Sequence, residues 1–278
     1  MHVLNAFRRG GIPTAVETSR PGHEELLAKQ AIAKGARLIV VVGGDGTCSR
    51  VADAILQSQR ECALAVVPCG TGNDFAKTLG VQGYTPQQIA DLVLRGEPRR
   101  IDVGLADGHH FLNSCGFGFD ASVLEATKNV RFLRGDAVYI YSALAQLFTY
   151  RGIDIRVDGA VKMKSGKMLM AVASNGRSLG GAFRIAPSAS VVDGKLDFCL
   201  FSDSNVVGRV RLFAGALRGT HLALPAVTSI KASGLTLTFA NSPAMEMDGE
   251  LRQATSRTVK IECVPHALAI VAAPCALV

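Results

Sequence analysis

Thirty lysines and arginines against 23 aspartates and glutamates give the 278-residue chain a formal charge of +7, and 48% of its residues are apolar. That much apolar mass supports a packed core and excludes a disordered chain, and no Gly-X-Y or heptad period marks a fibre. No apolar run reaches the ~20 residues of a membrane-spanning helix; the nearest, 264–278, is broken by Pro265, His266 and Pro274.

In chain order, residues 24–34 predict a helix with Glu25 and Lys29 as an i,i+4 pair. Residues 37–42 (RLIVVV) are a largely β-branched run that predicts a strand buried on both faces. Gly43 to Thr47 breaks the run as a glycine loop, and a helix resumes over 51–57. Residues 62–67 (CALAVV) predict a second buried strand, stopped by Pro68 and Gly70. Thr85, Pro86 and Gln88 make a capping box with proline at the first helical position, and Gly96 follows the end of that helix. Strand, glycine loop, helix, strand, proline–glycine loop, helix is the order of a parallel α/β sheet, whose ligands gather at the carboxyl ends of the strands.

Beyond residue 99 the character changes. Segments 101–105 and 110–114 flank Asp107-Gly108, and segments 153–157 and 160–164 flank Asp158-Gly159, so both dipeptides predict hairpin turns. Helices are expected over 121–129, 136–150 and 205–217, and strands over 167–173, 195–201, 228–231, 235–239 and 258–264. The second half therefore predicts a mostly antiparallel, sandwich-like β architecture packed against the first, with a cleft between.

The seven cysteines are scattered and contain no C-x-x-C pair, which excludes a disulfide framework or zinc site and predicts buried thiols. Residues 1–11 lack the apolar core of a signal peptide, so a cytoplasmic location is expected. The basic excess fits an anionic partner. No basic run with interleaved aromatics occurs and tryptophan is absent, so nucleic acid is not expected.

The chemistry concentrates in the two glycine loops. Gly43, Gly44 and Gly46 let backbone N–H groups approach phosphate oxygens with no Cβ in the way, and Thr47 leads into a helix whose positive end points at the same place. Asp45 would repel a bare phosphate, so its presence calls for Mg²⁺ beside that phosphate. Gly70, Thr71, Gly72, Asn73 and Asp74 repeat the pattern after the next strand. Two such loops at neighbouring strand ends converge on one polyphosphate–metal site.

With these motifs on the page the chain resembles the diacylglycerol kinase catalytic-domain family, which includes bacterial lipid kinases and sphingosine kinases. The resemblance runs through Gly43 to Thr47, Gly70 to Ala76, Ile101 to Gly104, Phe111 to Ala121, Asn175 to Ala182, Ile185 to Leu196 and Asp248-Gly249-Glu250, nearly the whole chain. It implies ATP- and Mg²⁺-dependent phosphorylation of a hydroxyl on diacylglycerol or a related lipid. It further implies a nucleotide domain over 1–104, a β-rich lipid domain over 105–264, and a segment 265–278 returning to the first. Asp45, Asp74 and Asp102 match the carboxylates that organise Mg²⁺, and Thr18 matches a threonine beside the nucleotide. Asp193, with the carbonyls of Ser190 and Lys195, matches a second, structural Mg²⁺ site, although an ordinary Asp-Gly turn reads nearly as well. Glu250 is the favoured base for the acceptor hydroxyl and Asp248 the other candidate; two apart on extended backbone, both would face the cleft.

Two departures stand out. The strand and N-P-x-x-G loop that open the family are not found, residues 4–9 matching the helix after that loop, which is read as a start placed too late. Ala182 replaces the third glycine of a triplet, where a methyl would narrow the approach to substrate. A soluble NAD-kinase-like enzyme and a catalytically impaired lipid- or nucleotide-binding protein are the alternatives. The first is disfavoured by the Gly70 to Ala76 loop, and the second by the survival of Asp45, Asp74, Asp248 and Glu250. The expected partner is a lipid at a membrane surface, reached by peripheral association, and homodimer formation stays open. Arg209, Arg211 and Arg218, beside Val206, Val207, Val210, Leu212 and Phe213, would suit a membrane-facing helix; a helix packed on the sheet with solvated arginines is the simpler expectation.

Overall fold

The computed structural model describes residues 22–128, 136–159 and 164–274, with residues 5, 7, 15–20, 130 and 276. The first part alternates α1 (His23–Ala33), β1 (Leu38–Gly43), α2 (Asp45–Ser58), β2 (Ala63–Pro68), a short α3 (Asp74–Thr78) and α4 (Pro86–Arg95). Strands β1 and β2 pair in parallel from Leu38–Ala63 to Gly43–Pro68, so both glycine loops leave the sheet at the same level. Strand β2 is buried along nearly its whole length, as its apolar run predicts. Strand β1 is only half buried, with Val42 47% exposed, because it stands at the sheet edge among the described residues. The capping box at Thr85 forms as read, its side chain accepting from Gln88 N while Gln88 Oε1 accepts from Thr85 N.

Helix α2 begins at Asp45, six residues before the sequence pattern placed it. Asp45, Gly46 and Thr47 are thus its first turn rather than a loop, and their amides belong to the unbonded helix N-terminus.

The second part comprises β3 (Arg99–Ala106), β4 (His109–Phe111), β5 (Ser114–Gly118), α5 (Phe119–Thr127), α6 (Asp136–Thr149), β6 (Ile153–Gly159), β7 (Lys164–Ser174) and β8 (Leu196–Ser202). It continues with α7 (Val206–Arg218), β9 (Val227–Ala232), β10 (Gly234–Phe239), β11 (Ala244–Met247), β12 (Glu250–Gln253) and β13 (Thr258–Val271). Asp107 and Gly108, at φ of 50° and 78°, make the expected two-residue turn from β3 to β4. Asp158 and Gly159 do not. They extend β6 and pair with Thr236 and Leu235 of β10, and the predicted partner segment 160–164 lies outside the described residues except at its last residue. All ladders here are antiparallel except where β13 meets β2: its first half pairs with β10, and Ile270 and Val271 run parallel to Leu64 and Ala65. One hydrogen-bonded network therefore joins an α/β part to a β-rich part. The first core packs α1 and α2 on β2 and β13, and the second fills the β sandwich around Phe117, Phe198 and Leu237. A third lies between the sheet and helices α5–α7. Cys48, Cys62, Cys115 and Cys199 are buried free thiols, whereas Cys69 is exposed.

Candidate active site

The two glycine loops touch through backbone. A Cβ at position 70 would lie 2.4 Å from Gly44 Cα, and Cys69 N donates to Gly43 O at 2.9 Å. No side chain at 70 could be accommodated without separating the loops. Asn73, in the left-handed region at φ 50°, clamps the second loop: its Oδ1 accepts from Gly70 N and its Nδ2 donates to Gly70 O, both at 2.8 Å. Thr47 packs over Gly43, where a Cβ would come within 3.0 Å of it.

Asp45 and Asp74 meet over Gly72. From the point a Cβ of residue 72 would occupy, Asp45 Oδ2 lies at 3.3 Å and Asp74 Oδ2 at 3.5 Å. Asp45 accepts from Asp74 N at 3.1 Å and Phe75 N at 3.0 Å, and so bonds one loop's helix to the other's. Asp74 accepts from Gly181 N at 2.9 Å and from Lys77 Nζ at 2.9 Å. Burial, together with the Asp74 charge, raises the Asp45 carboxyl above its ordinary range against the lowering bonds from Phe75 N and Asp74 N. A buried Asp74 and a half-buried Asp45 held this close fit a divalent cation bound directly or through water, with relief of their mutual repulsion.

These carboxylates form one wall of a cavity of about 600 Å³ between the two parts of the molecule. Asn113 and Ser114 from the β4–β5 junction, with Glu246 and Asp248 from the β11–β12 hairpin, complete its polar end. Leu124, Val138 and Leu179 make an apolar side. Three acids on that hairpin, two residues apart, have three different environments. Asp248 is 4% exposed and accepts from the amides of Leu112 at 2.7 Å, Asn113 at 2.8 Å and Ser114 at 3.0 Å, and from Ser49. Burial nevertheless pushes it up to about 6. Its four acceptor positions are filled, so it anchors the turn to α2 and to the β4–β5 junction. Glu250 lies against Gly46 at the start of α2, with Oε1 taking Arg50 Nε and Nη2, each at 2.7 Å. Its Oε2 pairs with Arg252 at 3.6 Å. Glu246 faces the cavity floor beside Asp120.

The expectation that Asp248 and Glu250 point the same way fails on backbone geometry. Asp248 and Gly249, at φ of 49° and 86°, are a two-residue hairpin turn, which reverses the chain between the two carboxyls.

Other expected site residues lie apart. Thr18 is exposed in the irregular stretch leading into α1. Asp102 is fully buried on β3, its oxygens taken by Gly194 N at 2.7 Å and His266 N at 2.8 Å, so it braces the bulge of β13 and does not join Asp45 and Asp74. Asp193 accepts from Lys195 N at 3.1 Å and pairs with Lys231 at 2.8 Å. Lys231 also donates to Ser188 O at 3.1 Å, two residues before Ser190, so an ammonium group serves this loop. The Ala182 methyl packs toward the α5–α7 core and does not narrow the cavity. Arg209 is neither solvated nor membrane-facing: it is 8% exposed, pairs with Asp203 at 2.7 Å and donates to Leu147 O and Tyr150 O.

Comparison with known proteins follows this geometry. A family model of the diacylglycerol kinase catalytic domain matches residues 2–106, and one of the YegS C-terminal NAD kinase beta sandwich-like domain matches residues 113–272. The chain belongs to the diacylglycerol kinase catalytic-domain family. Among relatives of this lipid-kinase family, it is 28% identical over 250 residues to a diacylglycerol kinase of Bacillus subtilis, covering 89% of this chain and 82% of that one. It is 31% identical over 254 residues to a Pseudomonas putida protein named "Probable lipid kinase YegS-like", covering 90% and 82%. A crystal structure of a diacylglycerol kinase from Bacillus anthracis shares the fold, with a TM-score of 0.72, 21% identity and coverage of 95% and 85%. No helix among the described residues is long and apolar enough to cross a membrane.

Proposed function

We propose that this lipid kinase transfers the γ-phosphoryl group of ATP, with Mg²⁺, to a hydroxyl of diacylglycerol or a related lipid. The observation that carries the reading is a cavity whose polar end holds Asp45 and Asp74 and whose side wall is Leu124, Val138 and Leu179. Such a space suits a phosphate donor at one end and an acyl-bearing acceptor at the other. Asp45 and Asp74 would hold Mg²⁺, which when bound spreads the charge that develops on the transferring group. The apposed glycine loops and the N-terminus of α2 present backbone amides to the phosphates. Glu250 is the base: Arg50 fixes Oε1, and Oε2, with Arg252 more distant at 3.6 Å, takes the proton of the acceptor hydroxyl as its oxygen bonds to phosphorus and ADP leaves. Asp248 positions that turn and does not accept the proton, since its lone pairs are occupied.

The acceptor must be drawn from a bilayer. Helix α6 lends Val138 and Tyr139 to the cavity and exposes Tyr141, Leu144 and Phe148, spaced for one face. Helix α7, packed beside it, exposes Val206, Val207 and Val210, with Arg211 and Arg218 to meet anionic lipid. Phe148→Ser is expected to lower co-flotation with anionic vesicles by several-fold at unchanged melting temperature; undiminished flotation refutes this face. The reaction itself is tested by incubating the protein with γ-labelled ATP, Mg²⁺ and diacylglycerol, a sphingoid base or ceramide, with NAD and a sugar as controls. Label in a lipid is expected; label in NAD or the sugar, or none, refutes the proposal.

A further inference from the structure

Beneath the cavity lies a carboxyl pair that the transfer chemistry does not use. Glu246 on β11 pairs across the ladder with Gly116 of β5, and the space left by the missing side chain there is filled from the other side by Asp120 of α5. A Cβ at position 116 would come within 1.9 Å of Asp120 Oδ2. Both acids are at least 97% buried. One oxygen of each is spoken for: the Tyr139 hydroxyl donates to Asp120 Oδ1, and Gly249 N donates to Glu246 Oε1. The remaining oxygens, Asp120 Oδ2 and Glu246 Oε2, are buried with no donor among the described residues. Two anions cannot be held face to face in such a place, whereas one proton between them satisfies both oxygens and leaves a single charge.

We propose that Asp120 and Glu246 share one proton and act as a positioning pair, holding Glu246 beneath Gly249 and so fixing the turn that presents Glu250. The pair stands on geometry; its use in catalysis rests on the lipid kinase reading above. Burial, with the Asp120 charge added, raises the Glu246 carboxyl well above its ordinary range, and burial raises Asp120 as well. The groups acting on the pair are Tyr139 from α6 and Asp248 from the turn; Cys115 of β5 lies beside it, Asp74 acts on Tyr139 across the cavity, and Arg209 of α7 lines the same pocket as Asp120. Burial first, and the neighbouring carboxylates next, keep Tyr139 and Cys115 protonated.

Glu246→Gln supplies the test, because its amide donates to Asp120 at every pH while its carbonyl still accepts from Gly249. A carboxyl with a raised folded-state pKa contributes stability that is complete below its unfolded pKa and is lost as pH rises toward the folded one. Equilibrium unfolding of the full chain is therefore measured for wild type and E246Q between about pH 5 and 8. The ratio of their unfolding constants is expected to move by about tenfold per pH unit in favour of the variant. The alkaline limb of the wild-type kcat profile is expected to move outward in E246Q. A ratio constant across the range overturns the proposal, since a merely structural residue would offset both proteins equally. Asp120→Asn, which donates from the other side, gives the same readout if E246Q does not fold. If the ratio moves while no lipid is phosphorylated, the pair stands and the kinase reading falls.

Discussion

The glycine loops and the β11–β12 hairpin face each other across one cavity and are built on opposite principles. The loops work through what is absent: no Cβ at 44 or 70, so backbone meets backbone, and two carboxylates are brought together over Gly72. The hairpin works through what surrounds three identical functional groups. Asp248 has a full set of donors, Glu250 has Arg50 on one oxygen and Arg252 near the other, and Glu246 has a second acid. Backbone proximity can be encoded by a contiguous motif. The ionisation and freedom of a carboxyl are set by residues more than a hundred positions away, and only the fold assembles them.

Four substitutions set the two regions against each other. Asp45→Asn removes a charge from the proposed cation site and part of the bond between the loops, and is expected to lower kcat by roughly 10³-fold or more, consistent with several kcal/mol of charge stabilisation. Steady-state kinetics alongside circular dichroism checks this; a loss below tenfold in a folded variant would break the assignment. Glu250→Gln is expected to lower kcat by about 10²–10⁴-fold with nucleotide affinity retained, as measured by turnover and ATP titration. Gly70→Ala should destabilise by about 1–3 kcal/mol, because its methyl meets backbone that cannot rotate aside, and thermal melting reads this directly.

Asp248→Asn is the smallest in rate and the most informative in pH. The carboxyl, raised from 3.8 to about 6, contributes stability that is present below pH 3.8 and lost as pH rises to about 6. The Asn variant cannot titrate there. Its deficit, about 1–3 kcal/mol from an amide facing three N–H donors, is expected to be largest in acid and to narrow across that window in urea titrations. A pH-independent deficit would show that burial does not govern Asp248.

How much of this was legible in the chain divides along the same line. The alternation of buried runs with glycine loops declared the parallel sheet and the end at which Asp45 and Asp74 meet, because strand burial and loop chemistry are local. The start of α2 was hidden, since Gly43, Gly44 and Gly46 read as a loop although only Gly46 lies inside the helix. Strand β5, SCGFG, carries no strand pattern in the sequence beyond Ser114; its Gly116 is tolerated because Asp120 occupies the vacated space. Asp248 and Glu250 were seen as a pair, but a positive φ at 248 is invisible in an alternation argument. Glu246 carried no signal except its spacing from them. Asp102 and Arg209 misled for one reason: a charged residue suggests ligand or solvent, and here each is instead bonded to protein, Asp102 to backbone amides and Arg209 to carbonyls and Asp203.

Strand β13 carries a mechanical consequence. Over 14 residues it is laced to β10, then β3, then β2, with its bulge pinned where Asp102 receives His266 N. A beam continuous through both halves resists any scissor-like opening, since swinging one lobe from the other would tear ladder bonds in the middle of the span. Traffic in and out must therefore pass at the rim, by small excursions of the turns and helices around the mouth, and the two lobes should melt together as one unit.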